Sequence, residues 1–434
     1  MTFFFTLVFM FLVFLRPQEW LFPAMYGWPV LDVITIVALV TLLFDSAQAK
    51  STIPKTPAVV LTAGLFLGAL MSHAAHGYFQ GMVDTIAPTF KICFFLFLLL
   101  IVTNSVERLR WVLFVFLVNA CIMSVHAVLQ DRTGSGYTGQ PPYIFIHPDG
   151  STITQSVFFG LFDDPNDLGQ FLATCIPLAF AFPKRLNFIS LILAAGVVWL
   201  LAEAMLATHS RGTLVGVIVS MAILVAMVLP VKWLPYVSVL GLIVGLVACA
   251  LGGGAFLDQS ARDRVVFWGY ANQYFKSNFL FGGGYGMFAD ISGSNRPAHN
   301  AYVCCYTELG LFGYWFWFNL LTLGMIGCWR TRLAFRRAWR PEQIYLRRLA
   351  GLAISAMAGF AASAYFLSRA YVFPLFFLFG MLSAIPVIAQ RYLPEEHPPL
   401  INFRKDVLFT GTVASLFSVV YIYISILLLN RAAG

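Results

Sequence analysis

Long apolar runs recur along nearly the whole chain, separated by short polar connections. A run of about 17 to 25 apolar residues can cross a bilayer as a helix. Stretches that approach this pattern are Phe3 to Leu15, Leu31 to Phe44, Ala58 to Met71, Ala87 to Val102, Trp111 to Leu129, Leu168 to Phe182, Phe188 to Leu206, Leu214 to Leu229, Leu234 to Leu251, Ala301 to Trp329, Leu349 to Phe366, Val372 to Ile388 and Leu408 to Leu429. Several are short, and the first runs into Arg16-Pro17-Gln18-Glu19, so about 12 (12–13) crossings are expected. That first run begins at Thr2 with no basic leader or small-residue cleavage site, and reads as a retained helix rather than a removed signal. The pattern predicts an all-α, polytopic integral membrane protein: one membrane domain over residues 1–434, with no internal repeat, low-complexity segment or separate soluble domain.

The placement of Lys and Arg orients these spans. The connection 330–348 holds Arg330, Arg332, Arg336, Arg337, Arg340, Arg347 and Arg348 against the single acid Glu342, which predicts a cytoplasmic loop. Alternating outward from it puts Lys184-Arg185, Lys232, Arg108 with Arg110, and Lys50 with Lys55 on the same side. The stretches 131–167 and 252–300 then fall outside as periplasmic loops, longer than ordinary connections and so expected to carry function. Composition agrees. The chain is 60% hydrophobic and 11% charged with a mean hydropathy of +0.81, against about 45–50% and about 25% in soluble domains. Its net charge of +8 sits mainly in the turns assigned to the anionic cytoplasmic leaflet, which argues against nucleic-acid binding. The seven cysteines, Cys93, Cys121, Cys175, Cys249, Cys304, Cys305 and Cys328, lie in or at the ends of apolar segments without zinc or disulfide spacing, and read as small core packers.

Inside the second outer loop, Phe267, Tyr270, Ala271 and Tyr274 recur at helical spacing between Ala261 and Phe275. This predicts an amphipathic helix lying on the membrane face rather than across it. Gly282-Gly283-Gly284-Tyr285-Gly286 then ends regular structure, and would let the loop close over bulky substrates.

Candidate chemistry concentrates at the same face. His299, followed by Asn300, sits at the entry of the Ala301 run, where an imidazole can act as a general base toward a hydroxyl, or can simply cap a helix. Arg211, in Ser210-Arg211-Gly212, occupies a very short outer turn, a place arginine tends to avoid; its guanidinium can hold two phosphate oxygens, or can snorkel toward lipid head groups. Arg262 and Arg264 open the expected loop helix with Trp268 one turn beyond, where they can face a diphosphate or be neutralised by Asp263 in a surface ion pair; Asp163-Asp164-Pro165-Asn166-Asp167 offers carboxylates for a divalent cation or acid-base work, but is better turn and helix-cap material. Glu308 falls inside an apolar run and is expected to order a polar neighbour. Lys91 and Arg369 extend the electropositive set.

Ser210-Arg211-Gly212, Arg264-x-x-x-Trp268, the glycine run into Phe288, and His299-Asn300-x-Tyr302 followed by Glu308-x-Gly310-x-x-Gly313 closely resemble the O-antigen ligase and polymerase superfamily of bacterial envelope glycosyltransferases. Asp164-Pro165-Asn166-Asp167 and Arg16-Pro17-Gln18-Glu19 resemble elements of its ligase-like branch. The resemblance implies an all-helical glycosyltransferase of the membrane-embedded C class, working at the periplasmic face of the inner membrane. The donor would be a glycan on undecaprenyl diphosphate and the acceptor a sugar hydroxyl of lipid A-core, with no cofactor, no metal and no nucleotide sugar. In such a reaction His299 would take the acceptor proton, and Arg211 and Arg264, with Arg262 and Lys91, would hold the diphosphate as charge develops on it. Asn300, Glu308, Trp268 and Asp167 would support them. Direct displacement inverts the anomeric centre and needs no second carboxylate as nucleophile. A polymerase of the same superfamily is the close alternative; a protein O-oligosaccharyltransferase and a lipid-linked glycan transporter are more distant ones.

Overall fold

The architecture comes from a computed structural model that describes residues 1–47, 54–146, 150–185, 187–228, 259–293 and 297–433. The expected span Leu234 to Leu251, together with Lys50, Lys232 and Cys249, lies outside these residues. The principal helices are α1 (Thr2–Leu15), α2 (Val30–Ala47), α3 (Pro57–Ala74), α4 (Phe79–Val102), α5 (Val106–Thr133), α6 (Pro165–Leu178), α7 (Phe188–Ala207), α8 (Arg211–Val228), α9 (Gln259–Ser277), α10 (Ala301–Ala334), α11 (Pro341–Ser363), α12 (Phe373–Gln390) and α13 (Thr412–Ala433). Eight stretches among the described residues are long and apolar enough to cross a membrane: α3, α4, α5, α7, α10, α11, α12, and Phe403–Asn430, which contains most of α13. Helices α1 and α8 are apolar but shorter. The chain is therefore a predominantly helical polytopic membrane protein, with α10, α11 and α12 at its centre and α7 and α13 exposing apolar flanks.

Small residues set the closest crossings, as membrane interfaces require where lipid offers no hydrophobic drive for association. Helix α8 lies against α11 through Gly216 and Gly359, where a Cβ on Gly216 would stand 2.8 Å from the Gly359 carbonyl oxygen. One turn on, Ser220 and Ser355 share a hydrogen bond at 2.8 Å. Helix α6 joins the same face of α11 through Gln170 Nε2, which donates to Ser363 Oγ at 2.8 Å. These contacts fix the start of α8, and hence Arg211, relative to the end of α11.

Helix α10 is not the single unbroken span expected from Ala301 to Trp329. Gly310 breaks it with φ 63° and ψ −171°, a conformation essentially restricted to glycine. The freed backbone groups find partners in the glycine-rich stretch. Gly283 and Gly284 donate to the carbonyls of Thr307 (2.9 Å) and Glu308 (3.0 Å), while Leu311 and Phe312 donate to those of Phe279 (2.8 Å) and Leu280 (3.0 Å). Irregular backbone inside a membrane protein is tolerated where other protein satisfies it, and here the glycine run supplies that service. It is a docked segment rather than the free cover expected from its composition.

Helix α9 forms where the spacing predicts. Trp268, Ala271, Asn272 and Phe275 are buried, whereas Tyr270 is 52% exposed. The helix runs antiparallel along α13: Asn430 Nδ2 donates to the Val265 carbonyl at 2.9 Å, and Asn272 Nδ2 to that of Tyr423 at 3.1 Å. Tyr306 of α10 donates its hydroxyl proton to Asn272 Oδ1 at 2.5 Å.

The 131–167 stretch also contains an antiparallel hairpin, Tyr143–Ile146 with Thr152–Gln155, pairing Tyr143 with Gln155 and Ile146 with Thr152. It is a small departure from the all-α expectation. The described cysteines are free, and all but Cys121 are buried, as core packers should be.

At the opposite end of the bundle the basic connection 330–348 is mostly helix, since α10 continues to Ala334 and α11 begins at Pro341. Its arginines tie helix ends together. Arg330 holds the fully buried Asp406 in a two-pronged pair, both contacts 2.6 Å, and Asp406 Oδ2 also accepts the Asn402 N–H at 2.7 Å. Removing one partner of such a pair strands a buried charge and typically costs about 3–5 kcal/mol. Arg330→Ala is therefore expected to lower the thermal midpoint of the detergent-solubilised protein markedly, and Arg404→Ala, an exposed change nearby, to leave it in place. Equal midpoints for the two variants in a thermal unfolding scan would contradict this.

Candidate functional site

Between α11 and α12 the chain runs without regular helix from Ala364 to Val372, and this segment is where the separate sequence motifs meet. The Ala301 N–H donates to the Ala364 carbonyl at 2.8 Å, and the His299 N–H donates to Ser368 Oγ. Tyr365 stands edge-on to Trp268, ring centroids 6.0 Å apart. Gly212 abuts Phe366, where an added Cβ would come within 3.1 Å of the Phe366 Cβ. Arg369 pairs with Asp167 through both carboxylate oxygens. Tyr371 packs on Tyr285, centroids 4.7 Å apart. One nine-residue strand of backbone thus touches the elements that carry His299, Arg211, Trp268, Asp167 and the glycine run.

His299 itself is held from several directions. Its φ is 49°, in the left-handed region that non-glycine residues seldom adopt. On one side Trp268 Nε1 donates to the Ala298 carbonyl at 2.5 Å. On the other, Asn300 caps α10, its Oδ1 accepting from the Tyr302 and Val303 amides at 3.0 and 3.1 Å. Arg16, Thr138 and His209 are the other non-glycine residues with positive φ among those described. Three of the four adjoin motifs singled out in the sequence, and strained backbone of this kind concentrates at functional sites.

Arg211 is the first residue of α8, next to the strained His209 and after Ser210, whose hydroxyl donates to Asn166 Oδ1 at 2.7 Å. A guanidinium at a helix N-terminus adds to the positive end of the helix dipole, an arrangement suited to an anion. Arg264 lies half-buried on α9, one turn before Trp268. Arg262 belongs to the same helix, but its side chain lies outside the described set.

Glu308 is buried just before the break in α10, and its Oε1 accepts the Phe288 N–H at 3.2 Å. Its carboxylate thereby orders the exit of the glycine run, and its carbonyl oxygen takes the Gly284 amide. The same run is gripped from the end of α3. Tyr285 N–H donates to Ser72 Oγ (3.1 Å), while His73 Nε2 and His76 Nε2 reach the carbonyls of Tyr285 (3.1 Å) and Gly282 (2.6 Å). Since a carbonyl only accepts, both imidazoles carry their proton on Nε2. Burial pushes the phenols of Tyr285 and Tyr371 upward, so both stay neutral around the site.

Other candidates are engaged elsewhere. Lys91 forms an ion pair with Asp32 of α2 at 2.5 Å, which gives its charge a partner outside this cluster. Asp167 serves Arg369, and Asp164 is the N-cap of α6, accepting from the Asn166 amide at 2.8 Å. The acidic turn is thus cap and ion-pair material. Asn300 is the cap that fixes the start of α10. Ser368, Tyr365, Tyr371, Ser72, His73 and His76 were not signalled by the sequence. The two histidines lie in the last turn of α3 and just beyond its end, the one feature that sets them apart.

The geometry describes a polytopic, predominantly helical membrane protein with a strained histidine and an arginine at a helix N-terminus joined through one segment at one end of the bundle. Residues 196–318 match the family described as O-antigen ligase, and this stretch holds Arg211, Arg264, Trp268, the glycine run, His299, Asn300 and Glu308. The match supports the O-antigen ligase and polymerase superfamily, whose members are glycosyltransferase-like enzymes of lipopolysaccharide biosynthesis. No curated protein matches it.

Proposed function

We propose that this protein is an O-antigen ligase: it transfers a finished glycan from undecaprenyl diphosphate to a sugar hydroxyl of lipid A-core, at the periplasmic face of the inner membrane. The observation that carries this reading is the convergence of His299, the Arg211 turn and Trp268 on Ala364 to Val372, all but the last segment lying within the matched family stretch.

In this mechanism the acceptor hydroxyl approaches His299, whose imidazole removes the proton as oxygen bonds to the anomeric carbon. The bond from that carbon to the diphosphate breaks on the opposite side, inverting the centre, and the departing diphosphate gains negative charge. Arg211 and Arg264 stabilise that developing charge as preorganised cations, a role that costs no reorganisation at the moment of reaction. Arg211 has the helix dipole behind it. The clamps on Ala298, His299 and Asn300 hold the base against the freedom that would otherwise blur its aim. Neither step calls on a metal ion.

The test combines purified protein, undecaprenyl-diphosphate glycan and lipid A-core with a chelator present. Wild type is expected to yield glycosylated lipid A-core, and Arg211→Lys to yield about 10²-fold less, because a lysine cannot replace two-pronged phosphate contact. Elongation of the carrier-linked glycan without transfer to lipid A-core would assign the polymerase reaction instead. No product of either kind would sink the metal-independent scheme.

A further inference from the structure

The end of the bundle away from the candidate site carries a small cavity that the proposed reaction does not use. It lies where the start of α3 meets the ends of α4 and α12, and it encloses about 30 Å³. On this measure a single water takes about 10–15 Å³, so there is room for a small polar group.

Three hydroxyls line it: Thr56 just before α3, Thr103 just after α4, and Ser383 within α12. All three residues are buried, and none of Thr56 Oγ1, Thr103 Oγ1 and Ser383 Oγ has a hydrogen-bond partner among the described residues. Two of them decline a partner that their position normally provides. A threonine at an N-cap ordinarily accepts from an amide of the first turn, yet Thr56 makes no such cap. A serine inside a helix ordinarily donates to the carbonyl four residues earlier, yet Ser383 does not. Elsewhere in the protein Thr62, Thr174 and Thr331 follow that habit.

Arg391, exposed just beyond α12, stands at the mouth and donates from Nη1 to the Asn104 carbonyl at 2.7 Å. It is the one charged residue of the lining among those described. The cavity therefore offers three O–H donors beneath a guanidinium, with an apolar wall that includes Leu100 and Val387. An acceptor-only anion satisfies every one of these groups, whereas a cation would meet Arg391. We propose that this cavity binds a phosphate group, presented by a phospholipid head group or as the free ion. Its place at a bundle end, among helix termini bound together by arginines, is where head-group phosphates lie in a bilayer. A phosphate seated there would link α3, α4 and α12 at the end remote from the His73 and His76 contacts. This assignment is independent of the reaction proposed above.

The full-length protein in detergent is titrated with phosphatidylglycerol, with diacylglycerol of the same chains, and with inorganic phosphate. Native mass spectrometry reads bound lipid, and thermal unfolding reads stabilisation by the ion. Phosphatidylglycerol is expected to be retained and diacylglycerol not. Thr103→Val with Ser383→Ala, and separately Arg391→Gln, should each lower retention about tenfold. Arg391→Gln also removes the contact to Asn104, so the double hydroxyl variant, which keeps it, decides the case. Displacement of the lipid by inorganic phosphate, or stabilisation by phosphate alone, names the free ion as an occupant; retention unaffected by phosphate names the head group. Equal retention of phosphatidylglycerol by wild type and the double variant, with no stabilisation by inorganic phosphate, overturns the proposal.

Discussion

Replacing His299 by asparagine is expected to lower glycan transfer by about 10²- to 10⁴-fold, the usual contribution of a positioned general base. Asparagine is the informative choice because His299 has a φ of 49°. Alanine at that position would add backbone strain to the loss of the imidazole, and any fall in activity would mix the two effects. Asparagine enters the left-handed region readily, and it keeps the backbone N–H that donates to Ser368 Oγ. The neighbouring clamps, Trp268 on Ala298 and Asn300 on the start of α10, do not involve the imidazole. The variant should therefore retain the carrier-linked donor as wild type does and differ in the rate of transfer. A variant that folds, binds donor and transfers glycan within a factor of about three of wild type would remove His299 from the role of base. Ser368→Ala gives the graded counterpart: it frees the His299 amide without touching the ring, so a loss of about tenfold, well short of the asparagine effect, separates positioning from chemistry.

The sequence and the structure diverge in instructive places. Apolar length identifies helices well because a bilayer demands it, and the described helices fall where the runs predict. What composition does not encode is pairing between distant segments. Lys91 and Asp167 look like free functional charges in the sequence, yet Asp32 and Arg369 stand against them across 59 and 202 residues of chain. Ala364 to Val372 has no motif of its own; its importance comes from topology, since it connects two central helices at the level where α6, α8 and α10 begin and against the middle of α9. Helical spacing along α9 does not say which residues other helices cover: Ala271 and Asn272 turn inward, with Asn272 bonded to α10 and α13, and Tyr270 faces outward. The hairpin had a local signal in His147-Pro148-Asp149-Gly150 between two β-rich stretches, since a Pro-Asp-Gly sequence favours a turn. The break in α10 was hidden for a different reason: a lone glycine in an apolar run usually remains helical, and only the docking of residues 279–284 makes Gly310 depart.

Gly310→Ala is expected to destabilise the protein by about 3 kcal/mol or more, the combined effect of a glycine-only backbone conformation and a steric overlap. An alanine Cβ there would collide with the Leu280 carbonyl, and backbone cannot swing aside as a flexible side chain does. The clash falls on the pairing that satisfies the broken helix, so its relief must cost hydrogen bonds: Leu311 and Phe312 lose the carbonyls of Phe279 and Leu280, or Gly283 and Gly284 lose those of Thr307 and Glu308. Groups stranded in this way at membrane depth have no water to turn to. Gly282 faces the same contact from the other side, where a Cβ would overlap the Glu308 carbonyl, so Gly282→Ala should reproduce the defect. Because each change disrupts one shared docking, the double variant should be less damaged than the sum of the singles. Gly196 in α7 supplies the control: a Cβ there meets nothing within 4 Å, and alanine should be neutral or raise the midpoint through its better helix propensity. Thermal midpoints in detergent read all four proteins. Transfer activity adds the functional consequence, since undocking the glycine run also withdraws the Phe288 amide from Glu308 and the Tyr285 backbone from Ser72 and His73. If Gly310→Ala behaved like Gly196→Ala in both measurements, the glycine run would not be holding the broken helix together, and the docking seen between 279–284 and 307–312 would carry no weight in either stability or catalysis.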